Sequence, residues 1–140
     1  MKLTAILICA LLAGNVLAAE LTRDGQQAFE SLKRATIFRF GNGLVGGMSP
    51  SQLSVVKLLK EDQSKEVFQA LIGQAAQAGQ LYALTVQRQF DLKRFQKNVT
   101  DYLQATNEVE VMEGCIIRSR KVSAIAKEIQ DGRFLGWPEN

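Results

Sequence analysis

Gly41, Gly43 and Gly46, within the stretch GNGLVGG, stand in the G-x-G-x-x-G spacing of a dinucleotide-binding turn. That chemistry needs a strand before the glycines, a helix after them, and a second parallel strand, with an acidic residue about 20 positions on for the ribose hydroxyls. ATIFRF before the loop passes for a strand, and SPSQLSVVKLLK after it opens a helix. Nothing beyond residue 47 reads as the second strand of a βαβ unit, and Glu61 and Asp62 fall in a polar link between helices. The expectation is therefore a glycine-rich reversal using φ > 0. The other reading of the loop is a mobile segment in which Gly43 and Gly46 meet a ligand, since loops on rigid scaffolds carry function.

The remaining reactive groups are few. The chain has no histidine, which removes Ser-His-Asp and Cys-His nucleophile pairs, histidine metal sites and the commonest general base. Glu108, Glu110 and Glu113 form the one acidic cluster, but Arg118 and Arg120 follow closely, so ion pairing is the simpler reading than a glycosidase carboxylate pair. Cys115 lies among Met112, Gly114, Ile116 and Ile117, which predicts a buried, inert thiol. Exposed, it would instead be the candidate reactive thiol or a bridge to another chain. No cofactor and no metal site is expected.

The N-terminus, MKLTAILICALLAGNVLAAE, reads as a secretory signal peptide of bacterial type over residues 1–19, with one basic residue, an apolar run and small residues before the cut. The apolar run is shorter than the roughly 20 residues a bilayer span needs, so no transmembrane segment is expected in the mature chain. Cys9 follows Ile8 within that run and is not placed for lipidation. Residues 20–140 then make a single domain in the periplasm or outside the cell. Cys115 is its sole cysteine, so no internal disulfide holds it. A net charge of +3 for the whole chain is far from the basic excess of a nucleic-acid binder. In a eukaryotic host Asn98-Val99-Thr100 would be a glycosylation site.

The elements that must position these groups follow from periodicity and caps. Residues 24–36 carry Ala28, Phe29, Leu32 and Ala35 as a first amphipathic helix. Ser49-Pro50-Ser51-Gln52 spells a capping box with Pro at the first position, opening a second helix over 50–60. Ser64 is the expected cap of a third helix running to Ala76, and Ala78-Gly79 the break before a fourth. Asp91 caps a fifth, with Leu92, Phe95, Val99, Tyr102, Leu103 and Thr106 on one face. A last helix is expected from Ser119 to Asp131, ended by Gly132, with Phe134 and Trp137 of the tail folding back on the core. Residues 108–118 have two readings. As a hairpin with loop Glu113-Gly114-Cys115 they set Glu110 opposite Arg118, Glu108 opposite Arg120 and Val111 opposite Ile117; otherwise they continue the fifth helix to Gly114.

The expected fold class is all-α, a compact bundle or short stack of five to six helices with a small hairpin as the one alternative to pure helix. The segments GQLYAL and VMEGC resemble stretches of small exported bacterial proteins of uncharacterised function. That resemblance implies the class and no activity. Three function classes remain, in this order: a monomeric, non-enzymatic interaction protein such as an inhibitor, immunity-type or accessory factor; a small-ligand carrier with a pocket among Phe38, Phe40, Tyr82 and Trp137; and a histidine-free enzyme. A protein partner is expected and nucleic acid is not. The contacts expected are Gly43, Gly46, Phe40, Tyr82, Arg118 and Arg120.

Overall fold

The computed structural model describes residues 20–40 and 47–139. The expected signal peptide and the loop holding Gly43 and Gly46 lie outside the described residues. Six helices and three strands follow one another among those residues: α1 (Arg23–Lys33), β1 (Ile37–Arg39), α2 (Pro50–Leu59), α3 (Ser64–Gln74), α4 (Gln77–Phe90), α5 (Leu92–Leu103), β2 (Glu108–Glu113), β3 (Ile116–Lys121) and α6 (Val122–Gln130). The fold is predominantly helical. Of the two readings of residues 108–118 the hairpin is the one formed, as β2–β3, and β1 joins it in a three-stranded sheet of order β1-β2-β3, so the fold is not all-α.

Side-chain caps open three of the six helices, α1, α2 and α5. The capping box forms as its spacing predicts: Ser49 Oγ accepts from the Gln52 N–H at 3.2 Å, and Gln52 Oε1 accepts from the Ser49 N–H at 2.8 Å. Asp91 Oδ1 accepts from the Arg94 N–H at 3.4 Å to open α5. Thr22 Oγ1 accepts from the Gly25 N–H at 3.0 Å to open α1, and Glu61 in the α2–α3 link accepts from the Thr22 N–H at 3.2 Å. Ser64 is the first residue of α3 rather than its cap, and Gln63 in the cap position offers no side-chain bond. The last helix starts at Val122, because Ser119 to Lys121 complete β3.

α4 is the axis of the fold. Every residue from Leu81 to Gln87 is buried, so the helix has no solvent face over two turns. Ala78 and Gly79, expected to break the chain, lie inside its first turn. The physical reason is close approach: a Cβ on Gly79 would sit 2.1 Å from the carbonyl oxygen of Leu32 in α1. The Ala76 N–H donates to the Lys33 carbonyl at 2.9 Å at the same junction. Glycine is required there for packing.

The sheet lies against one end of this axis. β1 runs parallel to β2, with Phe38 beside Val111, although the α2, α3, α4 and α5 helices separate them in sequence. The ATIFRF stretch is therefore a strand whose partner begins at residue 108, a wide crossover and not a dinucleotide-binding βαβ unit. Phe38, Val109 and Val111 face the core with Ile125, Ala126 and Ile129 of α6.

Two tests address this packing. Gly79→Ala must displace backbone at Leu32, and should cost about 3 kcal/mol, whereas Gly73→Ala, with open space around its Cβ in helical backbone, should be neutral or stabilise by up to about 1 kcal/mol; urea unfolding of both variants checks the contrast. The second concerns Tyr102, which donates to Gln80 Oε1 at 2.7 Å and whose phenol is pushed up to about 12 by burial and secondarily by the charge of Asp101. Between the unfolded value near 10 and the folded value, the folded state holds a proton that the unfolded chain has released, so this residue's contribution is present below about pH 10 and is lost as pH rises to 12. Tyr102→Phe should show a shallower loss of urea midpoint between pH 9 and 11 than the parent chain.

Candidate functional site

The aromatic residues expected to line a pocket pack on one another instead. Ring centroids stand 4.9 Å apart for Phe38 and Tyr82, 5.5 Å for Phe38 and Phe134, 5.3 Å for Phe40 and Phe134, and 5.1 Å for Phe40 and Trp137. These are tilted and edge-to-face contacts that fill the space between them. Tyr82 is buried and its hydroxyl accepts from the Arg39 N–H at 2.8 Å. Burial raises its pKa, opposed by the bonds to Arg39, Ser49 and Ser51. Trp137 donates its indole N–H to Thr85 Oγ1 at 3.0 Å. Gln89 holds the tail in place, its Oε1 accepting from the Gly136 and Trp137 N–H groups at 3.0 and 2.9 Å and its Nε2 donating to the Trp137 carbonyl at 2.8 Å.

A second polar cluster joins three helices. Asn98 Nδ2 of α5 donates to Gln69 Oε1 of α3 at 2.8 Å and to Gln87 Oε1 of α4 at 2.9 Å, and Gln87 Nε2 donates to Gln69 Oε1 at 3.0 Å. Both donor positions of the Asn98 amide are occupied. A glycan on that nitrogen would break the cluster. Beside Gln87 a cleft of about 220 Å³ opens, walled by Leu59, Phe68, Val86 and Phe90, with Lys65 and Asp91 in its polar lining. No residue named in advance as a contact lines it. It is assembled from the ends of α2, α3 and α4, a juxtaposition that no local pattern announces.

The hairpin carries Cys115 in its turn and Arg118 and Arg120 on β3, in a register one residue away from the expected one. The turn holds two residues, Gly114 and Cys115, with Glu113 beside Ile116. Gly114 has φ 62° and Cys115 does not have positive φ, as in a type II′ turn. Glu108 therefore meets Lys121, Glu110 meets Ser119 and Val111 meets Arg118. A one-residue slip moves each side chain to the opposite face. Arg120 consequently joins the core-side face, where it reaches Glu128 of α6 at 2.7 Å and Glu113 at 3.0 Å. Glu128 is the larger influence raising its pKa. Glu128 also takes Arg133 at 2.9 Å. Arg118, by contrast, is exposed and makes no ion pair among the described residues.

The two edges of the sheet differ. β1 is three residues long, and the Arg39 N–H is taken by Tyr82. β3 is six residues long, and all but the half-buried Arg120 are exposed. Ile116 and Ile117 are 53% and 47% exposed. The other exposed large apolar side chains, Met48, Leu53, Leu92 and Leu135, are spread over other segments. In a two-residue hairpin the residues flanking the turn bond each other, and alternation along the ladder then aims the N–H and C=O of Ile117 and Ser119 away from β2. A row of outward N–H and C=O groups is a template for another strand, and the cations Arg118 and Lys121 on the same edge restrict which strand can add.

Among the described residues no helix is long and apolar enough to cross a membrane, and no group of three acidic or cysteine side chains is gathered as a metal site.

The expected burial of Cys115 is corrected: the thiol is exposed in the turn. Apolar sequence neighbours did not bury it because the hairpin tip projects beyond the core, leaving Ile116 and Ile117 uncovered as well. Native protein should accordingly react with a thiol reagent nearly as fast as denatured protein, within about threefold. Stopped-flow labelling at matched pH measures both rates, and a native rate slowed a hundredfold would place the thiol under cover.

Comparison of the chain with protein-family models, with curated proteins and with solved structures finds no match in any of the three.

Proposed function

We propose that the chain is an exported, non-enzymatic interaction protein that holds a partner protein through its β2–β3 hairpin. One observation carries this reading: β3 is a six-residue edge strand, exposed at every residue but Arg120, with Ile116, Ile117 and Arg118 offering apolar area and charge that the fold does not use. Folded domains guard such an edge with charge, and the basic residues of β3 oppose a like-charged strand while leaving an acidic one unopposed. Here Arg120, held by Glu128 of α6 and by Glu113 beside the turn, ties the hairpin to the helical body, while Ile116, Ile117 and Arg118 stay exposed. Export rests on the N-terminal pattern of a short basic start, an apolar run and small residues.

The cleft of about 220 Å³ near Gln87 favours a second reading, a carrier of a small amphipathic molecule, because its apolar walls and adjoining Lys65 and Asp91 match the usual composition of ligand sites. The two readings part in one experiment. The chain is recovered from the envelope of cells exporting it, crosslinked beforehand and set against an Ile116→Asp/Ile117→Asp variant, and its intact mass is taken under native conditions. The expected outcome is a stoichiometric protein partner lost from the variant, with no bound small molecule. Recovery of the chain alone carrying a ligand mass would replace the interaction reading by the carrier one, and retention of residues 1–18 inside the cell would remove export.

A further inference from the structure

We infer that the partner segment is an extended strand with acidic residues followed by apolar ones, added antiparallel to β3 as the fourth strand of the sheet; this rests on the hairpin being the interaction surface. The backbone sets the mode of binding. Ile117 and Ser119 direct their N–H and C=O groups outward, so an added strand gains ladder hydrogen bonds whatever its side chains. The side chains of β3 then set which strand fits. Running from Lys121 back to Ile116, the edge presents a cation, the already neutralised Arg120, the hydroxyl of Ser119, the unpaired Arg118, and two apolar residues. Arg120 is satisfied by Glu113 and Glu128 and asks for no further acid. Lys121 and Arg118 each favour a carboxylate directly opposite, and Ile117 and Ile116 each favour an apolar neighbour, since cross-strand pairs of opposite charge or matched apolar character stabilise and like charges destabilise.

A second copy of this chain is disfavoured by the same charges. Pairing β3 antiparallel with itself about Arg118 sets Arg118 against Arg118, and pairing about Ser119 sets Arg118 against Arg120. Glu108 does not relieve this edge, being bonded to Ser119 Oγ at 2.7 Å on the other strand. An acidic partner strand meets no such opposition. Association should therefore weaken with salt, which screens exposed pairs.

The test uses the purified chain and a labelled, end-blocked peptide Glu-Thr-Thr-Glu-Val-Val, its charge-reversed form with lysine for glutamate, and fluorescence anisotropy. The acidic peptide should bind at least tenfold more tightly than the basic one. Ser119→Pro removes an outward N–H while leaving the β2 ladder intact, a position at which edge strands accept proline, and should weaken binding at least tenfold with an unchanged circular dichroism spectrum. Arg118→Glu, at an exposed site, should weaken acidic-peptide binding about tenfold and serves if the proline variant misfolds. Equal binding of both peptides, undiminished binding to Arg118→Glu and folded Ser119→Pro, or no binding to the parent chain would each overturn the inference. So would a dimer in sedimentation that Ser119→Pro dissolves, which would make a second copy the occupant. Failure here with a hairpin-dependent partner still recovered from the envelope would leave the interaction reading standing and refute only the acidic-strand chemistry.

Discussion

The approach of α4 to the end of α1 at Gly79 is the constraint on which the remaining structure depends. With the Leu32 carbonyl where a Cβ would otherwise lie, α4 passes close enough for its next two turns to be enclosed on all sides. Enclosure makes every polar group on that helix an obligation, because an unpaired buried donor or acceptor costs about 1–3 kcal/mol. Each is met by a different part of the chain: Tyr82 by Arg39 of β1, Thr85 by Trp137 of the tail, Gln87 by Gln69 of α3 and Asn98 of α5. Among the described residues no buried side-chain nitrogen or oxygen is left without a partner. The polar side chains of one helix thus fix the position of four other elements.

Those obligations also decide which expected sites are sites. Tyr82 and Trp137 look like pocket residues in sequence, yet their polar atoms are committed to Arg39 and Thr85 and their rings to the Phe38, Phe40 and Phe134 cluster. Asn98 carries a glycosylation pattern, yet its amide nitrogen is spent between two glutamines. Unspent interaction capacity lies at the hairpin, where Arg118 has no ion pair among the described residues and Ile116 and Ile117 are exposed. The contrast between a fully satisfied interior and an unsatisfied edge gives the interaction reading its physical basis.

The hairpin also shows how a fold can anchor one end of a strand and offer the rest. Arg120 is clasped by Glu113 and Glu128, and Glu128 in turn takes Arg133, so the base of β3 is tied to α6 and the start of the tail. Val109 and Val111 of β2 are buried while all their exposed neighbours on β3 stay in water. An incoming strand would therefore meet a preformed surface, which limits the ordering cost of association.

The sequence by itself determined what short-range chemistry can determine. Ser49 and Gln52 each bond the other's backbone three residues away, so their box was legible, as were the Asp91 cap, the core stripes of α1 and α6, and the Phe95, Val99 and Tyr102 part of the α5 stripe, whose expected members Leu92 and Thr106 are exposed. The hairpin was legible as one of two readings, since alternation and a glycine turn are local. Its register was decided by the φ of Gly114, which converts a three-residue loop into a two-residue one and sends Arg118 and Arg120 to the other face. The parallel pairing of β1 with β2 joins residues that four helices separate, and no pattern within either segment records it. Gly79 reads as a breaker in sequence because a glycine's need for space is visible only when the neighbouring Leu32 carbonyl is in place. Cys115 reads as buried for the converse reason: apolar neighbours in sequence bury a residue only when other elements cover them, and nothing in the tertiary structure covers the tip of the hairpin.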